Sequence, residues 1–81
     1  MNHELKIHPQ FYKDVLLGVK KVEVRKNDRN YQENDLLILN EFDPKKEKYT
    51  GGQIKRRVDY IIKDVLGLDP EYVVLQISKP L

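Results

Sequence analysis

The chain has 81 residues, which is enough for one small domain with a single hydrophobic core. Hydrophobic residues make up 40% of it and charged residues 35%, a composition that excludes disordered, collagen-like and membrane-spanning classes. There is no cysteine, so disulfides and thiolate-based zinc sites are excluded as well. The net charge of +2 is too small for a protein that binds nucleic acid through charge alone.

The N-terminal segment carries Glu4 and Lys6 and lacks the apolar stretch of a signal peptide. The two histidines, His3 and His8, fall on opposite faces of the first predicted strand, which does not favour a metal site. We therefore expect one domain over residues 1–81, located in the cytoplasm, with no membrane partner, no metal and no cofactor.

The beginning of the chain predicts a strand followed by a short helix. Residues 3–8 alternate apolar and polar side chains, the period of a strand with one solvent-facing side. Pro9 suits the first turn of a helix, and residues 10–17 place apolar side chains on one stripe. Gly18 is well placed to end that helix, because glycine readily adopts the left-handed conformation that often follows a helix.

A second strand is predicted over residues 20–26, which alternate again. Val22 and Val24 fall on one face, and we expect that face to be buried. Lys20 falls on the same face as the valines. The opposite face carries Lys21, Glu23 and Arg25.

The rest of the chain predicts three more strands with short connections, and we expect each to pair with the next. Five strands and one short helix indicate an α+β fold, mainly β: a small, mostly antiparallel β-barrel with the helix on one side. Neither a P-loop nor a GxGxxG motif is present, which excludes phosphate binding by those loops. In chain order the segments are a turn at 27–34, a strand at 35–42, a loop at 43–52, a strand at 53–63, a turn at 65–70 and a strand at 71–78.

The densest group of charged residues lies in the second predicted strand. Glu23, between Lys21 and Arg25 on one face, would stay ionised and fix the direction of the guanidinium. Such a set can bind a phosphate or the polar edge of a base. The alternative is a row of exposed cross-strand ion pairs, each contributing at most about 1 kcal/mol.

This segment resembles the signature of a known family. The pattern glycine-x-lysine-x-x-glutamate-x-arginine at residues 18–25 is that of ASCH domains, small β-barrels of the PUA-like superfamily. The resemblance runs from His3 to about Ile77 and is strongest to a short bacterial and phage branch of uncharacterised proteins. The other segments that carry it are HELKI at 3–7, Pro9, EVRKNDR at 23–29 and DLLIL at 35–39.

The resemblance implies an RNA- or nucleotide-binding cleft beside the barrel. A bulge or sharp turn after Gly18 is needed to bring Lys20 to the same site as Glu23. Tyr31 directly follows a basic run, so its ring either stacks on a base or packs on the rim of the barrel. The candidate ligand-binding residues are Lys6, Lys20, Glu23, Arg25, Lys26, Arg29 and Tyr31, flanked by His3, Asn27 and Asp28.

Two other functions stay open. A neighbouring ASCH group hydrolyses acetylated cytidine with a lysine, a threonine and a distant glutamate. Lys20 matches that lysine, but Glu23 occupies the threonine position, and a carboxylate does not replace a hydroxyl nucleophile. For an amidohydrolase acting on a modified nucleoside, Lys20 and Glu23 would be the catalytic pair. The third hypothesis is a phage or mobile-element accessory protein that binds a host protein through its strand edges.

Several single residues carry expectations of their own. His3 either belongs to the site or is an exposed strand end. Asn34 stands where the branch usually has glycine, and asparagine tolerates the positive φ that such a turn requires. Tyr49 has the same two alternatives as Tyr31. The core is expected to include Phe11, Tyr12 and Tyr60.

Overall fold

Five strands and one helix form the structure, a computed structural model that describes residues 1–81. The elements are β1 (Asn2–Ile7), α1 (Pro9–Leu16), β2 (Val22–Lys26), β3 (Leu36–Asp43), β4 (Lys48–Ile62) and β5 (Tyr72–Ser78). The strands lie in the order β1-β3-β4-β5-β2; β1 is parallel to β3, and all other neighbours are antiparallel. The mainly β class with one short helix is confirmed. The sheet curls into a half-barrel whose free edges are β1 and β2.

The helix begins and ends at the predicted residues. Pro9 is its first residue, and Gly18 follows it with φ +78°. The Gly18 N–H donates to the Val15 carbonyl at 3.0 Å and the Val19 N–H donates to the Asp14 carbonyl at 2.9 Å, so a Schellman ending satisfies the last carbonyls. The helix packs against β3. At eight residues α1 is too short to cross a membrane, and there is no other helix.

The predicted pairing of β3 with β4 is confirmed, but their connection is much shorter than the expected loop at 43–52. Only residues 44–47 turn, and the Asp43 carboxylate accepts the Lys45 N–H at 2.9 Å to hold that turn. β4 begins at Lys48 and runs for 15 residues, so Gly51 and Gly52, which fall in the expected loop, lie inside a strand. The predicted pairing of β4 with β5 is also confirmed.

An irregularity in β4 changes which side chains reach the core. The register with β5 shifts between Val58 and Tyr60, so Ile61 packs against the core and Tyr60 is 56% exposed. The expectation that Tyr60 is buried is therefore wrong, because a bulge moves the two-residue alternation by one position. Phe11, at 41% exposed, is not in the core either, whereas Tyr12 packs against it. The most completely buried side chains are Leu37, Leu39, Leu75, Val15, Val58 and Val73.

The faces of β2 are the reverse of the prediction. Glu23 is only 4% exposed, whereas Val22 and Val24 are 40% and 58% exposed. Alternation separates the two faces of a strand but does not say which face points inward. Here the charged face points inward because β2 is an edge strand at the opening of the half-barrel, where internal partners satisfy the carboxylate.

Candidate functional site

A buried carboxylate with two cations lies at the opening of the half-barrel. Glu23 Oε1 accepts a hydrogen bond from Lys20 Nζ, and Glu23 Oε2 accepts one from Arg25 Nε at 3.0 Å. Lys20 reaches the carboxylate because it precedes β2, in the segment after α1, and is not part of the strand alternation. The sharp turn that the sequence required at Gly18 is therefore present, and Lys20, Glu23 and Arg25 share one cluster.

Arg25 links the two free edges of the sheet. Its Nη2 lies 2.8 Å from Glu23 Oε2 on its own strand and donates to the Lys6 carbonyl of β1 at 2.6 Å. No backbone hydrogen bonds join β1 to β2 in the sheet, so this guanidinium makes the connection between them. Its side chain is 22% exposed, which leaves one side of the fork open to a ligand.

Two clefts flank this link. The smaller has a volume of about 370 Å³ and includes Lys20, Glu23 and Phe11 in its walls. The larger, about 830 Å³, extends from the loop after β2 across the outer face of β1, β3 and β4. Both clefts contain Lys6 and Arg25, which form the wall between them.

The larger cleft is mainly basic. Four cations face it, and only two carboxylates oppose them. Its local positive charge thus exceeds what the small net charge of the whole chain suggests. The cations are Lys6, Arg25, Lys26 and Arg29, and the carboxylates are Glu4 and Asp28.

Tyr31 forms a wall of the larger cleft but is not an open stacking surface. Its side chain is 4% exposed and its ring lies edge-on to His3, with the ring centroids 4.8 Å apart. Burial raises the pKa of the Tyr31 hydroxyl, and the nearby cations Arg25 and Arg29 partly oppose that shift. The Tyr31 ring therefore packs against the barrel and is not open for stacking on a base. Contact between a ligand and the edge of this ring stays a prediction.

His3 is buried beneath Tyr31, so the expectation of an exposed strand end is wrong. Its Nε2 lies 2.8 Å from Asp35 Oδ2, and the same oxygen accepts the Gln32 N–H at 2.9 Å. Burial alone would raise the pKa of Asp35, but these hydrogen bonds and the Met1 ammonium, which donates to Asp35 Oδ1 at 3.1 Å, outweigh it and hold the pKa below its ordinary range. The Asp35 carboxylate thus fixes the loop that carries Tyr31. Asn34 has φ +74°, as expected.

Eight of the ten predicted site residues line the two clefts. Asn27 and His3 line neither of them; the Asn27 N–H donates to the Glu71 carbonyl at 2.7 Å and fixes the loop. Lys20 and Glu23 face the smaller cleft. The larger cleft brings together Lys6, Arg25, Lys26, Asp28, Arg29 and Tyr31.

Sequence reasoning missed part of the larger cleft. Glu4, Asn40 and Gln53 line it from three different strands. The one available signal was the polar Asn40 at the end of an apolar run. Because the strand register brings these residues together, the sequence alone could not group them. Tyr49 also lines this cleft and is 54% exposed.

Comparison with known proteins gives two findings. Residues 2–77 match the family described as "Domain of unknown function (DUF3850)". A protein of Escherichia phage P2, described as "Uncharacterized 12.9 kDa protein in GpA 3'region", is 41% identical over 76 residues. That alignment covers 90% of this chain and 64% of the phage protein, so this chain spans less than two thirds of its relative. The expected similarity to uncharacterised phage proteins is confirmed.

Proposed function

This chain belongs to the DUF3850 family, and we propose that it binds single-stranded RNA or a nucleotide in the larger cleft. The observation that carries the proposal is the convergence of four cations, the exposed ring of Tyr49 and two amide side chains on one cleft of about 830 Å³. Cations bind phosphates, an exposed ring stacks on a base, and amides bond to base edges. These are the groups by which proteins recognise unpaired nucleotides.

The cations are distributed in a way that suits a phosphate chain. Arg25, Lys26 and Arg29 lie at the end of β2 and in the following loop, on one side of the cleft. Tyr49, on β4, lies on the other side. A nucleotide that spans the cleft would therefore place its phosphate near the loop and its base near the sheet.

The chain would then be an ASCH-type module of the PUA-like superfamily. The signature residues Lys20, Glu23 and Arg25 converge in the structure on one buried carboxylate. This convergence supports the resemblance, because each signature position has a physical role. Glu23 orients Arg25, and Arg25 faces both clefts.

Hydrolysis of a modified nucleoside is the second candidate, favoured by the contact between Lys20 Nζ and Glu23 in the smaller cleft. Binding is the better supported function, since both Glu23 oxygens already accept hydrogen bonds from Lys20 and Arg25. We expect N4-acetylcytidine to release no cytidine during incubation with the protein. Turnover that disappears in Lys20→Ala would instead establish hydrolysis.

Binding can be tested by fluorescence anisotropy with a labelled ten-nucleotide single-stranded RNA. Lys26→Ala and Arg29→Ala should each weaken binding several-fold, because each removes a phosphate contact. Lys63→Ala and Lys79→Ala are matched controls, since both lysines are exposed and line neither of the two clefts. Equal losses in all four variants would show that binding is non-specific and would contradict the proposal.

A further inference from the structure

A row of polar side chains crosses three strands inside the larger cleft. In register, Lys6 of β1 lies beside Asn40 of β3, and Asn40 lies beside Gln53 of β4. Gln53 Nε2 donates to Asn40 Oδ1 at 2.9 Å, and Asn40 Nδ2 donates to Glu4 Oε1 at 3.3 Å. Since neighbouring strands lie about 5 Å apart, the row extends about 10 Å along the cleft.

Glu4 gives this row its direction. An ionised carboxylate only accepts hydrogen bonds, so Asn40 must turn its NH₂ group toward Glu4. The Asn40 oxygen then faces Gln53, and Gln53 must turn its own NH₂ group toward Asn40. This order leaves Gln53 Oε1 and one Gln53 N–H for a ligand, because neither has a partner within the chain.

A fixed aromatic ring stands beside the row. Asn40 of β3 pairs with Gln53 of β4, and Phe42 pairs with Tyr49. β4 therefore has two extra residues between these pairs, a bulge that leaves Tyr49 on the same face as Gln53. The Tyr49 ring packs edge-on against Phe42 with centroids 5.1 Å apart. Lys6 Nζ covers the Phe42 ring at 4.3 Å. Tyr49 is held in place yet remains 54% exposed.

We infer that Gln53 recognises a nucleobase that carries an exocyclic amino group and stacks on Tyr49, an inference that rests on the proposed function. Gln53 Oε1 accepts a hydrogen bond and the free Gln53 N–H donates one, in a fixed order, so they favour a base with an amino group beside a ring-nitrogen acceptor, as cytosine has at N4 and N3. Uracil reverses this order, with a carbonyl oxygen at C4 and an N–H at N3, which would put acceptor against acceptor and donor against donor.

In this arrangement Gln53 is the residue that determines specificity. Glu4 is a positioning residue, because it acts on the ligand through Asn40 and Gln53. Loss of Gln53 should remove the preference between bases and leave the phosphate contacts. Replacing Glu4 by glutamine should weaken the preference too, because a glutamine amide can donate as well as accept and no longer fixes the row.

The test compares oligo(C) with oligo(U), which differ in the group at C4 of the base. By fluorescence anisotropy at neutral pH, we expect ten-nucleotide oligo(C) to bind roughly tenfold more tightly than oligo(U). Binding of CMP and of UMP is measured as well, and shows whether a single nucleotide is enough for the preference. Gln53→Leu should bring the oligo(C)/oligo(U) ratio close to one while the salt dependence is unchanged. Glu4→Gln should lower the ratio without weakening oligo(U) binding.

Gln76→Leu is the matched control, because Gln76 is an exposed glutamine on β5 outside the cleft. This variant should keep the wild-type ratio. Equal affinity of the wild type for oligo(C) and oligo(U), with salt-dependent binding of both, would overturn this inference and leave the proposed function standing. Absence of binding to either oligonucleotide would overturn both.

Discussion

Arg25 donates a hydrogen bond that joins β1 to β2, and this affects how its substitutions should be interpreted. One of the two alternatives from the sequence was an exposed ion pair worth at most about 1 kcal/mol. In the structure its partner Glu23 has a side chain only 5% exposed, and Arg25 also donates to the Lys6 carbonyl. Arg25 therefore contributes to folding as well as facing the cleft, and Lys26 and Arg29 are cleaner probes of binding.

We expect Arg25→Ala to lower the free energy of unfolding by about 2 kcal/mol. The loss is smaller than the ~3–5 kcal/mol typical of breaking a fully buried pair, because Arg25 is partly exposed and Lys20 still contacts Glu23. For a domain of this size it corresponds to a fall in Tm of about 8–16 °C. Urea denaturation and thermal melting measure both quantities.

The control for this prediction is Lys21→Ala, which removes an exposed cation just before the same strand. It should change stability by no more than about 0.5 kcal/mol. Equal stability of Arg25→Ala and the wild type would show that the link between β1 and β2 does not contribute to folding.

Asp35 makes the stability of the folded protein depend on pH. Its pKa in the folded protein is below the ordinary value of about 3.9. Its stabilising contribution is therefore complete above about pH 4 and is lost as the pH falls through the folded pKa. Asp35→Asn should cost about 1–3 kcal/mol at pH 7, because it weakens the bonds to His3 and Gln32.

Urea denaturation of the wild type and Asp35→Asn at pH 7 and pH 3 measures this contribution. The difference in unfolding free energy between the two proteins should narrow at pH 3, because the Asp35 carboxyl group of the unfolded wild-type chain takes up a proton there more readily than that of the folded protein. A difference that is the same at both pH values would mean that the charge of Asp35 plays no part.

At the level of the elements, β2 shows what alternation can and cannot predict. The sequence placed Glu23 and Arg25 on one face and Val22 and Val24 on the other, and that division is correct. The orientation was wrong, because valines usually mark the buried face. A buried carboxylate is tolerated here only because Lys20 and Arg25 satisfy it. The motif was thus a better guide to the inward face than hydrophobicity.

The bulge of β4 between Tyr49 and Gln53 depends on glycine for two different reasons. Gly51 has φ +97°, a conformation that residues with a Cβ rarely adopt. Gly52 has no such constraint, but a Cβ there would lie 2.8 Å from the Tyr12 hydroxyl oxygen and 3.1 Å from Glu41 Oε1. Close packing against α1 therefore requires Gly52, and backbone conformation requires Gly51.

We expect Gly52→Ala to cost about 1–3 kcal/mol through overpacking against Tyr12. In a Tyr12→Leu background the cost should be clearly smaller, because the ring that collides with the new methyl group is gone. Gly51→Ala should cost about 1–2 kcal/mol in either background, since nothing lies within 4 Å of its Cβ position. Thermal and urea unfolding of each glycine variant, compared with the wild type or with Tyr12→Leu alone, measures these costs. An identical cost of Gly52→Ala in both backgrounds would contradict the prediction.

For the whole molecule, local sequence patterns predicted the helix and the strands well, but not how the edge strands of the sheet are arranged. Pro9 and Gly18 bounded the helix, and short connections gave the two hairpin pairings. The parallel pairing of β1 with β3 depends on contacts distant in sequence, which alternation does not encode. The bulges could not be predicted for the same reason, and they decide the positions of Tyr49 and Tyr60.

The candidate site was predictable where one segment supplies it. Residues 20–29 contain most of the cations, and the signature placed Lys20, Glu23 and Arg25 together. The other wall of the larger cleft comes from the outer face of three strands, and only their register assembles it. The half-barrel creates both clefts, because β1 and β2 approach each other without pairing.

The salt dependence of RNA binding is the sharpest test of phosphate contacts in the larger cleft. For a ten-nucleotide single-stranded RNA titrated between 50 and 300 mM salt, the four cations of the larger cleft predict that log K falls with log salt at a slope of roughly 2–3. Arg29→Ala should reduce that slope by about 0.7, and Lys79→Ala should leave it unchanged. An affinity insensitive to salt, or an equal slope in Arg29→Ala and the wild type, would contradict phosphate binding in this cleft.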